Sequence, residues 1–251
     1  MDLQLQAPVW LDRDSRGRGA EAHARALSDR LLSTGIAVAA VGVVVQTASH
    51  LFQAFVAPSL DELSADRDDN AFAWASAVAM FAGAVAAFVL YALQRRRGLL
   101  ALAVLLAFLS LDDIATVHET IGSRSESVLG LASYAGRIVW IVLYLPLLVL
   151  GVVLLVRLAL EASPRARRVI LVGLGLLGAG VAAEAATYLT YAAGYGEGTT
   201  LDTLEVAVEE GAELAGWILI GAALVAHACA TLLTAGRIDS SGRPGPGRET
   251  A

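Results

Sequence analysis

Arg95-Arg-Arg-Gly-Leu-Leu-Ala-Leu-Ala-Val-Leu-Leu-Ala-Phe-Leu-Ser-Leu-Asp-Asp-Ile-Ala-Thr-Val-His-Glu-Thr-Ile121 decides the fold. Three arginines open it, and no further charge appears until Asp112. About 20 apolar residues cross the roughly 30 Å hydrocarbon layer as a helix, which satisfies its own backbone groups there. The segment therefore predicts a span over 98–121. Working outward, similar runs lie at 31–55, 71–93, 131–158, 169–191 and 204–233. The expected fold is all-α, a polytopic membrane bundle of six transmembrane helices.

Composition agrees. Of the 251 residues, 57% are hydrophobic and 17% charged, with a mean hydropathy of +0.64; about a quarter of a soluble domain is charged. Three regions are expected: an Arg-rich cytoplasmic segment (1–30), the transmembrane domain (31–236) and a disordered tail (237–251) with no apolar surface to bury. The first 30 residues lack a short apolar core and cleavage site, so the first span is expected to act as the insertion signal. Cys229 is the single cysteine, which excludes an internal disulfide or a thiolate metal cage.

All 18 basic residues are arginine. Five precede the first span, three lie between the second and third, four bracket the loop between the fourth and fifth, and three follow the sixth. Arg67, Arg124 and Arg137 fall on the other side. Cytoplasmic loops carry the excess of basic residues, so both termini are expected inside. A bacterial cytoplasmic membrane is the expected location. Arginines spread over inner loops as topology signals give no support to nucleic-acid binding.

The acids show the opposite bias. Asp61, Glu62, Asp66, Asp68, Asp69, Glu126, Glu197 and Asp202 occupy outer loops. Asp112, Asp113, Glu119, Glu184, Glu205, Glu209, Glu210 and Glu213 sit in or beside apolar spans, all toward the outer side. At about 1.5 Å per residue, Asp112, Asp113 and Glu184 reach a similar depth inside the apolar layer. An acid there costs at least about 2.5 kcal/mol and usually faces a cavity or partner. At about 100° per residue Asp112, Thr116 and Glu119 share one face of the third span, with Asp113 beside it. Asp202, Glu205, Glu209 and Glu213 would form a stripe on the sixth, repelling one another. A cation or shared proton would relieve that repulsion.

Plainer readings stand beside these. Asp202-Thr-Leu-Glu205 reads as a capping box. His50 reads as a hydrogen-bonded interfacial histidine, His227 as a neighbour contact and Cys229 as packing. Gly173-Leu-Gly-Leu-Leu-Gly178 matches a dinucleotide fingerprint, but inside a span and without a preceding strand. Gly175, Ala179, Ala182 and Ala186 read instead as a helix-packing face. Pro146 is expected to kink the fourth span, and Trp74, Trp140 and Trp217 to anchor at the interfaces.

Leu109-Ser-Leu-Asp-Asp-Ile-Ala-Thr-Val-His-Glu119, with Glu184 and Glu209-Glu-Gly-Ala-Glu-Leu-Ala-Gly-Trp217, resembles a group of bacterial multi-span membrane proteins. These share a Leu-Ser-Leu-Asp…His-Glu stretch and a later Glu-rich helix start. The resemblance covers the third to sixth spans and implies a shared site, without naming an activity.

The expected function is an outward-facing carboxylate–histidine site that binds a divalent metal ion. Its candidate ligands are Asp112, Asp113, His118, Glu119, Glu184, Glu209 and Glu213, with His50, Glu205, Glu210 and Arg137 in a second tier. Oxygen-rich donors with one or two imidazoles suit Mn, Fe or Zn, and with fewer nitrogens Ca or Mg. An open coordination position would permit hydrolytic or redox chemistry in the membrane. Two other classes use the same residues: a carrier coupled to protons or a small cation, and a non-catalytic partner protein docking through its acidic mouth.

Overall fold

The computed structural model describes residues 9–60, 63–65, 70–130, 136–194 and 199–240, in backbone only at 9–18, 20, 136, 137 and 236–240. The acids expected in the first outer loop, Asp61, Glu62, Asp66, Asp68 and Asp69, lie outside the described residues, as do Arg67, Glu197 and the tail from 241. Seven helices are described: α1 (Val9–Phe55), α2 (Ala71–Gln94), α3 (Arg97–Ala115), α4 (Val117–Leu129), α5 (Gly136–Glu161), α6 (Pro164–Ala192) and α7 (Thr200–Ser240). All except α4 are long and apolar enough to cross a membrane. Each of the six expected spans thus has a helix long and apolar enough for it, the third ending at Ala115 rather than at Ile121.

Their boundaries follow local chemistry. Asn70 starts α2 by accepting from the backbone N–H groups of Phe72 and Ala73 at 2.7 and 2.9 Å. Ser163 caps α6, with Pro164 in its first turn, where the missing N–H costs nothing. α1 runs unbroken from Val9 to Phe55, and α7 runs from Thr200 to Ser240. The N-cap of α7 is earlier than expected, because Thr199 Oγ1 accepts the Asp202 N–H at 3.2 Å.

α7 is the hub, packing on α1, α2 and α6, while α3 packs on α2, and α5 on α4 and α6. Small residues allow close approach. A Cβ on Gly173 of α6 would stand 2.9 Å from the Gly216 carbonyl oxygen of α7. The packing face of α6 is thus Gly173, Gly180, Glu184 and Thr187, all buried. Gly175, Ala179, Ala182 and Ala186, expected to pack, are exposed, because they lie on the side turned away from α7. The core is built from Leu32, Leu90, Leu102, Leu106, Ile170 and Leu224, each nearly solvent-free. Outward faces stay apolar, as at Val41, Val44, Val78 and Phe81, which suits a hydrocarbon surrounding.

The two ends of the bundle differ. At one, Arg96 pairs with Glu161 and Arg165 joins Asp29 at 3.2 Å. The other gathers the acids.

Candidate functional site: an acidic cavity at one end of the bundle

The expected third span breaks. α3 ends at Ala115, Thr116 adopts a left-handed conformation (φ 50°, ψ 37°) with its N–H bonded to the Asp112 carbonyl, and α4 restarts at Val117. The shared face of Asp112, Thr116 and Glu119 on one helix therefore does not exist. On a continuous helix, residues six apart point about 120° away from each other. The break instead folds His118 back, bringing its Nδ1 to 2.9 Å from Asp112 Oδ2. With the carboxylate accepting, Nδ1 carries the proton and the neutral ring's lone pair is on Nε2.

Two aromatic residues complete the frame. Tyr144 on α5 donates its hydroxyl hydrogen to Asp112 Oδ1 at 2.7 Å. One turn earlier, Trp140 donates its indole N–H to Glu184 Oε1 of α6 at 2.7 Å. Asp112 and Glu184 are 5% and 8% exposed; burial at this level demands such partners. The rings also pack together, with centroids 4.9 Å apart for His118–Trp140 and 5.8 Å for Trp140–Tyr144.

These groups head a cavity of about 730 Å³. Asp112, Asp113, His118, Glu119, Glu184, Glu209, Glu210 and Glu213 all line it, as do Glu126, Trp140, Tyr144 and Trp217. Six helices contribute: α2 through Ala73, Ser76 and Met80, and α3, α4, α5, α6 and α7. Gly180 makes room, since a Cβ there would stand 2.7 Å from Glu213 Cγ. The described residues that line the cavity include eight carboxyl groups and one imidazole, and no arginine.

Other candidates lie apart. His50 is buried, its Nε2 donating to the Thr203 carbonyl at 3.2 Å and its Nδ1 accepting from Ala65 N–H at 3.1 Å. It ties α1 to the first loop and α7. Glu205 Oε2 accepts from Thr190 Oγ1 at 3.2 Å, and Asp202 Oδ1 from Tyr191 at 2.6 Å; both join α7 to the end of α6. The side chain of Arg137 lies outside the described residues. His227 lies toward the arginine end, within electrostatic range of Glu161.

Among the described residues, no three His, Cys, Asp or Glu side chains form a ready-made metal cage. A metal here would draw carboxylates inward from the walls. Sequence reading assigned Trp140 to an interface and passed over Tyr144. Their signal was the one-turn spacing of two polar-tipped aromatics on an apolar helix, since a buried indole or phenol seeks an acceptor.

The profile of the family described as domain of unknown function DUF8692 matches residues 30–228, and the chain belongs to that family. No curated protein and no solved structure matches it.

Proposed function

We propose that this is a multi-pass protein of a bacterial inner membrane, with both termini cytoplasmic, whose outward-facing cavity binds a divalent metal ion. The observation that carries this reading is the Asp112–His118 pair. An imidazole held through Nδ1 by a carboxylate presents its Nε2 lone pair in a fixed direction, the usual arrangement around a metal-ligating histidine. His118 Nε2, Glu184, Glu209 and Glu213 are the leading ligands, with Asp113, Glu119 and Glu210 within the same cavity. A metal would also offset part of the repulsion among eight acids in a low-dielectric setting. An open coordination position would support hydrolytic or redox chemistry.

A proton- or cation-coupled carrier draws less support, since the cavity continues inward between leucines and valines. The test is metal content by mass spectrometry on detergent-purified protein, beside an Asp113→Asn/Glu209→Gln variant. Near-stoichiometric metal, lost in the variant, is expected. No metal in either sample after incubation with Mn, Fe and Zn would remove the reading.

A further inference from the structure

The cavity does not stop at its carboxylates. Past Asp112 its walls run toward the arginine end as Leu106 and Leu102 of α3, Val152 and Leu155 of α5, and Leu177 of α6. The stretch from Asp112 to Leu102 is about 15 Å of helix, half the roughly 30 Å hydrocarbon layer. A metal ion or proton makes no use of such a limb, and apolar cavities hold water poorly. The limb also adjoins the bundle's surroundings along α5. Val149 and Val152 line it, yet remain 52% and 48% exposed. Only 17% of the apolar window of α5 is buried, against 39–44% for α2, α3 and α7.

We propose that the cavity takes a membrane amphiphile with an ammonium head group, entering past α5, with its head among Asp112, Glu184 and Glu209 and its hydrocarbon chain in the limb. This rests on the reading of the carboxylates as a cation site and adds the ligand class. Charge selects the head: among the described residues the lining holds carboxyl groups and no arginine, which disfavours a phosphate or sulfate. The rings of Trp140 and Tyr144 beside the acids offer the aromatic faces that attract ammonium groups. Shape selects the tail, and about 730 Å³ falls within the roughly 300–1,000 Å³ of small-molecule sites.

Gly178 provides the probe. It lines the cavity, and a Cβ added there meets nothing within 4 Å, so Gly178→Leu adds apolar bulk at the wall with its Cβ in open space. Leucine also favours the helix. The full-length protein in decyl maltoside, whose heads carry no ammonium, is titrated with dodecyltrimethylammonium, tetramethylammonium and dodecyl sulfate, and bound probe is read by native mass spectrometry. One saturable dodecyltrimethylammonium is expected, at least tenfold tighter than tetramethylammonium, with no saturable dodecyl sulfate. Gly178→Leu weakens the chain-bearing cation tenfold or more and leaves tetramethylammonium unchanged; Asp112→Asn weakens both cations. Equal affinity for the two cations, unaffected by Gly178→Leu, overturns the amphiphile and leaves the cation site standing. Saturable dodecyl sulfate overturns the head-group assignment. Binding of neither cation, together with no retained metal, overturns the amphiphile and the cation site together.

Discussion

Tyr144 and Trp140 each give their single polar hydrogen to an acid on a different helix, so α5 fixes the carboxylates of both α3 and α6. Removing one donor leaves a buried carboxylate short of a partner, a loss of about 1–3 kcal/mol. Tyr144→Phe and Trp140→Phe are each expected to lower the thermal midpoint in detergent. If a metal uses this frame, its affinity falls on the order of 10–100-fold as well, as for other supporting partners; calorimetric titration with Mn or Zn measures that loss. Asp112 and Glu184 were legible as buried acids from depth alone, because charge stands out in an apolar run. Their donors were not, because hydropathy counts an indole or phenol as one more apolar residue.

At the scale of elements, the turn at Thr116 makes the site. A β-branched residue in the left-handed region is strained, by about 1–3 kcal/mol. Thr116→Gly is therefore expected to raise thermal stability while keeping the Asp112–His118 pair, whose loss would show as reduced metal retention. The sequence carries no mark of this break: the residue is neither Gly nor Asn, and Val117 and Ile121 continue the apolar pattern beyond it. The six spans themselves were legible, since length and hydropathy are what a bilayer demands. Which face of α6 packs was not, because small residues lie on both sides of it. That assignment has its own check. Gly173→Ala drives a Cβ against α7 and is expected to cost about 1–3 kcal/mol. Gly175→Ala, with open space around it, is expected to stabilise by up to about 1 kcal/mol. Thermal unfolding of the two variants side by side distinguishes the faces.

For the whole molecule, the arginine end and the acid end give the bundle a polarity, and the bias of arginines sets its direction in the proposed reading. Reporter fusions at both termini are expected to show cytoplasmic activity, and a reporter placed after Gly130 to show none. A bound metal would also hold the helices that carry its ligands together, stabilising the folded state by about 2.7 kcal/mol at a hundredfold excess over its Kd. A chelator is then expected to lower the thermal midpoint, with Zn or Mn restoring it. In the proposed reading His118, held by Asp112, ligates a metal in this cavity. The most direct measurement is electron spin echo spectroscopy of the Mn-loaded protein. Modulation from a coordinated imidazole nitrogen is expected in the unaltered chain and in His50→Gln, and is expected to vanish in His118→Gln. Bound Mn with the same modulation in all three proteins, or no bound Mn at all, would rule out His118 as the ligand of a metal in this cavity.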